Sequence, residues 1–123
     1  MKILVVDDSI TIRRIIVNLL RASGYNDIIE AANGREAFSI MAGVSLVLTD
    51  WNMPVMDGLS FLKVVRADSV YGKIPIIMVT AEGNQEDVLE ALSCGANDYI
   101  IKPFNKTNLI SKVEKFLVAN QAE

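Results

Sequence analysis

Five polar residues stand where short apolar runs end. Asp7 and Asp8 follow residues 3–6, Asp50 follows 46–49, Thr80 follows 76–79 and Lys102 follows 99–101. If those runs are parallel strands of one sheet, their carboxyl ends share an edge. Ligand sites of open α/β sheets lie in the crevice outside that edge. Three carboxylates, a hydroxyl and an ammonium would then meet, in a chain with no histidine. Such an oxygen-rich set suits a hard divalent cation, Mg2+, together with a phosphoryl group. Two unit charges about 4 Å apart interact by about 4 kcal/mol at an effective dielectric of about 20, so clustered acids persist where a proton or a cation relieves them. Taken singly, each residue has a plainer use: Asp-Asp as a turn and helix cap, a lysine after a strand as a solvated side chain. The chemistry lies in four strand ends carrying complementary groups at once.

The elements that would position them alternate strictly. Residues 2–6 read as a strand buried on both faces. Ser9 or Thr11 can cap a helix whose apolar stripe is Ile12, Ile15, Ile16, Leu19 and Leu20, with Gly24 ending it. Ile28 and Ile29 form a short second strand. Asn33-Gly34 reads as a turn before a helix carrying Ala37, Phe38 and Met41, which Gly43 stops. Residues 46–48 make the third strand. Asp57 caps a third helix buried through Leu59, Leu62 and Val65. Pro75 opens the fourth strand. Val88, Leu89 and Leu92 mark the fourth helix, ended by Gly95. After the fifth strand and Pro103, the last helix shows Leu109, Ile110, Val113, Phe116 and Leu117. Five βα units with short loops imply a doubly wound five-stranded parallel sheet covered by five helices in a three-layer sandwich. The expected strand order is 2-1-3-4-5, with its ligand at the switch point between the first and third strands. Asp7, Asp8 and Asp50 end those two strands.

The totals set bounds. At 123 residues the chain is read as one domain, 1–123, with one core and no need of disulfide or structural metal. The single Cys94 and the lack of an apolar run near the ~18 residues of a membrane span suggest a cytoplasmic protein without membrane contact. The net charge of -3 argues against nucleic acid as a partner. Residues 120–123 read as a frayed end.

At the strand ends the chain resembles the receiver domain of two-component response regulators, over essentially its whole length. The residues that carry the likeness are Val5-Val6-Asp7-Asp8-Ser9, Thr49-Asp50-Trp51-Asn52-Met53-Pro54, Met56-Asp57-Gly58, Val79-Thr80-Ala81-Glu82 and Lys102-Pro103-Phe104. Arg13-Arg14-Ile15 and the stretch after Asp50 are similar to the CheY-like chemotaxis branch. The family is itself a standard case of the flavodoxin-like 2-1-3-4-5 order, so that order is not an independent expectation.

The resemblance implies a set of roles. Asp50 is the phosphoacceptor, taking a phosphoryl group from a phosphohistidine of a CheA-like sensor histidine kinase. Asp8 and Asp50 hold Mg2+ directly with the backbone carbonyl of Asn52, and Asp7 acts largely through water. Thr80 and Lys102 hold phosphoryl oxygens, and the Lys102-Pro103 bond is cis. Tyr99 reports the position of Thr80 to a readout face made by the fourth helix, fifth strand and fifth helix. Asn52 and Glu82 tune dephosphorylation. The protein would then be a regulatory phosphoacceptor, catalysing only its own phosphorylation and dephosphorylation. A monomer is expected, acting on the flagellar motor switch or met by a phosphatase. If no output domain follows the last helix, it signals by binding partners. The chain departs from its enteric relatives at Gly83-Asn84-Gln85-Glu86-Asp87, neutral to acidic where they carry lysines, although Lys112 matches. A stand-alone phosphorelay receiver, passing phosphate to a histidine phosphotransfer protein, stays open. A flavodoxin-like FMN carrier would set glycines and hydroxyls where Asp7-Asp8 stand. An aspartate-nucleophile phosphatase would set a carboxylate where Asn52 stands.

Overall fold

The computed structural model describes residues 1–121, with side chains through Leu117; of the expected frayed end, Asn120 and Gln121 are helical and residues 122–123 lie outside the described residues. The strands are β1 (Lys2–Val6), β2 (Ile28–Ala31), β3 (Val44–Thr49), β4 (Ile76–Thr80) and β5 (Asp98–Ile101). The helices between and after them are α1 (Ile10–Ala22), α2 (Gly34–Ser39), α3 (Gly58–Ala67), α4 (Gln85–Ser93) and α5 (Lys106–Gln121). All pairings are parallel, in the order β2-β1-β3-β4-β5. One face of the sheet buries Leu4, Val47, Ile76 and Met78 against α2, α3 and α4, and the other buries Ile3, Val5, Leu46, Leu48, Ile77 and Val79 against α1 and α5. Continuous apolar strands of this kind alternate between two cores. Among the described residues no helix is long and apolar enough to cross a membrane.

Local chemistry explains the boundaries. Ser9, and not Thr11, caps α1, its hydroxyl accepting from Ile12 N. Asp57 caps α3 through Ser60 N, as expected. Asn33 does not make a turn with Gly34: it caps α2 by accepting from Glu36 N, and Gly34 is the first helical residue. A Cβ at Gly34 would stand 2.8 Å from Phe61 Cβ, so packing of α2 on α3 demands glycine there. Met41 is buried as expected but lies beyond the end of α2.

One helix, α1, is rotated from its expected phase. In α1 the buried residues are Ile16, Val17 and Leu20, while Ile15 is 45% exposed. Arg13 shares the meridian of Val17 and Leu20 and is tied to the β1 end and to β2, which turns Ile15 outward. In α4 only Ala91 is fully buried, and Leu89 and Leu92 are exposed. This helix covers the sheet near its β5 edge, where an inner strip narrower than its apolar face suffices. In α3, Phe61 joins Leu62 and Val65 inside, with Leu59 half-buried. Val55, in the loop after Asp50, has φ 69, a left-handed conformation that a β-branched residue adopts only under strain.

Candidate functional site

Backbone bonds continue the sheet past the last strand residues and fix the site before any side chain is considered. Asp7 N donates to Ala31 O at 3.1 Å, Asp50 N to Val6 O at 2.9 Å and Lys102 N to Thr80 O at 2.9 Å. The first residue beyond each of β1, β3 and β5 is therefore held as rigidly as the strand it follows. Thr80 ends β4, between the strands that carry Asp50 and Lys102. Gly58 is required by the same crowding, because a Cβ on it would stand 2.0 Å from Asp50 O.

Asp7, Asp8 and Asp50 each offer a carboxylate oxygen within 4.8 Å of the others. Lys102 Nζ donates to Asp7 Oδ2 at 2.8 Å and to Asp50 Oδ2 at 3.1 Å. Asp7 is buried; Asp8 is exposed, and among the described residues no hydrogen bond or ion pair reaches its carboxylate. Asp50 Oδ1 accepts from Trp51 N at 2.7 Å. Burial pushes the Asp7 carboxyl above its ordinary 3.8, against the opposing pull of Lys102 and of Ser9 N–H. Burial also pulls Lys102 down, but its hydrogen bond to Asp7 and the charges of Asp50 and Asp7 outweigh it and hold the ammonium above 10.5. The lysine is thus a fixed positive charge at neutral pH. Three carboxylates and one ammonium leave a net charge of -3 + 1 = -2 in this crevice. All-oxygen donors, one carboxylate without a partner and a charge of that size fit a hard divalent cation.

The remaining expected residues form a second cluster on the same edge. Asn52 Nδ2 donates to Glu82 Oε1 at 2.6 Å, so the residues two positions after Asp50 and after Thr80 touch each other. Thr80 is fully buried, and its Oγ1 accepts from Glu82 N at 3.3 Å. Tyr99 is only 8% exposed, and its hydroxyl donates to the backbone carbonyl of Glu82. The hydroxyl is bonded within the fold and is not left to open water. Burial, with Asp87, Glu82 and Asp50 nearby, pushes its phenol up to about 12. Thr80 and Tyr99 therefore meet through one shared peptide segment, Glu82, with Thr80 paired across the sheet to Ile101 and Tyr99 to Met78. The Lys102-Pro103 bond is cis, as the resemblance implied.

Sequence reasoning passed over Arg13 in structural terms. Its Nη1 donates to Asp7 O at 2.8 Å and its Nε to Glu30 Oε1 at 2.9 Å. The signal was present: a charged residue on the i, i+4, i+7 row with Val17 and Leu20 faces inward and needs partners there. Arg66 was likewise invisible. Its guanidinium serves the carbonyls of Gly72 and Ile74 in the following loop and, farther along the chain, the carbonyl of Gly95 and the side chain of Asn97.

Comparison with known proteins agrees with this geometry. The family model of the response regulator receiver domain matches residues 3–114. The chain is 50% identical to chemotaxis protein CheY1 of Helicobacter pylori, covering 98% of this chain and 99% of that one. It is 48% identical to the chemotaxis protein CheY homolog of Campylobacter jejuni, covering 100% and 97%. Among solved structures, Vibrio cholerae CheY4 superposes with a TM-score of 0.84 at 39% identity, covering 94% of this chain and 97% of that one. A putative response regulator from Chloroflexus aurantiacus gives 0.89 at 32% identity, covering 95% and 97%. The chain belongs to the response regulator receiver domain family and is CheY-like.

Proposed function

We propose that this protein is a phosphoaspartate switch of a two-component system, working in chemotaxis. The observation that carries the reading is the Asp50 carboxylate, held by Lys102 on one oxygen beside two further acids at the carboxyl edge of the sheet. An Asp50 oxygen forms the new bond to phosphorus while the donor's P–N bond breaks and the imidazole nitrogen keeps the electron pair. The donor histidine belongs to another protein, since this chain has none, and the likeness to CheY proteins points to a CheA-like sensor kinase. Asp8, Asp50 and the Asn52 carbonyl would hold Mg2+, with Asp7 behind them; the ion would supply charge neutralisation to the phosphoryl group. Lys102 gives up its bond to Asp50 for the incoming phosphoryl oxygens, and Thr80 turns from Glu82 N toward them.

That exchange is the switch. A hydrogen bond to a charged group contributes about 1.5–3 kcal/mol, and moving a population from 1:99 to 99:1 takes about 5.5 kcal/mol. Thr80 alone is too weak; Thr80 with Lys102 and the Ala81 N–H suffices. Release of Glu82 N frees the segment to which Tyr99 is bonded, so the signal passes through Glu82 to Tyr99 and to the α4-β5-α5 face. Leu89, Leu92 and Ile101 are exposed on or beside α4 and β5 and suit a partner such as the flagellar motor switch. The Asn52–Glu82 bond stands over the path of the hydrolytic water and sets the lifetime of the phosphate. The protein acts on no separate substrate and works in the cytoplasm as a monomer.

Trp51, joined through its N–H to Asp50, is the reporter. Its fluorescence should change with Mg2+ and change again with acetyl phosphate, and Asp50→Asn should lose the second change. A second change that survives Asp50→Asn would contradict the assignment.

A further inference from the structure

We infer that Arg13 is a positioning residue for the cation site: it holds the peptide that joins Asp7 to Asp8, and Glu30 holds it in place. This rests on the reading of Asp7, Asp8 and Asp50 as a Mg2+ site.

Every polar atom of Asp7 has a partner. Its N–H donates to Ala31 O, its carbonyl accepts from Arg13 Nη1 at 2.8 Å, Oδ1 accepts from Ser9 N at 2.8 Å and Oδ2 from Lys102 Nζ. Asp8 has no such anchors on its carboxylate among the described residues. Its position follows from the peptide it shares with Asp7, and the orientation of that peptide is fixed by the bond from Arg13. The next anchor along the chain is Ser9, whose N–H is bonded to Asp7 and whose hydroxyl caps α1. Arg13 thus ties the free metal-facing carboxylate to the body of α1.

The arginine is well suited to this and to little else. Its side chain is 15% exposed and that of Glu30 25%, so the pair sits mostly inside. The planar fork spends Nε on Glu30 and Nη1 on Asp7 O, two bonds in one plane that a lysine ammonium on a shorter stem does not reproduce. Glu30 also offsets the positive charge. A guanidinium at the Asp7 carbonyl without that carboxylate would compete with a divalent ion. Arg14 Nε, 3.7 Å from the same Glu30 oxygen, adds a weaker contact from the exposed side.

Charge and geometry make opposite predictions for removal of this residue. Deleting a cation beside three acids should tighten Mg2+ binding if charge alone matters. Loss of positioning should weaken it. Groups that orient metal ligands typically contribute 10–100-fold in affinity.

The test is calorimetric titration of the full chain with MgCl2 at constant ionic strength, with thermal unfolding in EDTA alongside. Wild-type protein should bind Mg2+; if it does not, the cation-site reading itself falls, and this inference with it. In Arg13→Ala the Kd for Mg2+ should rise about tenfold or more. Acetyl phosphate labelling of that variant should be slow at limiting Mg2+ and return to the wild-type rate at saturating Mg2+. If Arg13→Ala does not fold, Arg13→Lys is judged by the same criterion. A Kd within twofold of wild type, or a tighter one, in the folded variant overturns the inference.

Discussion

At the scale of single residues, the site works by leaving one carboxylate unanswered. Lys102 serves Asp7 and Asp50, Ser9 and Arg13 serve Asp7, and the Asp8 carboxylate has no partner among the described residues. Glu82 is the other economical residue: its side chain meets Asn52, its N–H meets Thr80 and its carbonyl meets Tyr99. The buried phenol of Tyr99 has a measurable consequence. Its pKa is raised from 10.0 to about 12, so between those values the folded state keeps a proton that the unfolded chain has lost. Stability is then fully present below pH 10 and falls as pH rises through that window. Lys102, held above 10.5, loses its contribution over the alkaline range in the same sense. Chemical denaturation at pH 9 and pH 11 should show a smaller loss of stability for Tyr99→Phe than for wild type. Equal losses would mean that this phenol does not titrate as its surroundings dictate.

At the scale of elements, the sheet aims the chemistry and the loops at its other end keep the sheet in register. Arg66, at the end of α3, gathers the loop before β4 and the loop before β5. Asn97 Oδ1 also accepts from Ile76 N, which joins the same network to the first residue of β4. Arg66→Ala should cost about 2–4 kcal/mol in urea denaturation, because three carbonyls lose a charged donor together. Arg66→Lys should recover only part of that. None of this could be read from the sequence, since the carbonyls that an arginine serves have no residue signature. The strands were legible because buried parallel strands are unbroken apolar runs, and the caps at Ser9 and Asp57 because a side-chain oxygen must answer free N–H groups. The phase of α1 was not: Ile15 counts as core in an apolar stripe, and only the anchoring of Arg13 turns it outward. Gly34 read as a turn because glycine signals one, while its cause is the close approach of Phe61.

At the scale of the whole molecule, the acid edge and the α4-β5-α5 face are separate surfaces linked through the segment at Glu82. Asp7, Asp8, Asp50 and Lys102 were legible together because the strand ends of one topology converge on one edge; Thr80 lies on that edge but its hydroxyl meets Glu82 N. The link was only half legible. Tyr99 was identified, but its bond to the Glu82 carbonyl needs the loop's path. Tyr99→Ala should accept phosphate on Asp50 yet lose the phosphate-dependent gain in binding to its output partner, as read by pull-down with and without acetyl phosphate. Everything downstream depends on the phosphoryl group being carried by Asp50. The direct measurement is mass spectrometry of the protein after acetyl phosphate and Mg2+, with borohydride trapping and peptide mapping of the labelled residue. The label should fall on Asp50, should require Mg2+, and should be absent from Asp50→Asn. A label on any other residue of the wild-type chain, or none at all, would contradict the phosphoaspartate switch.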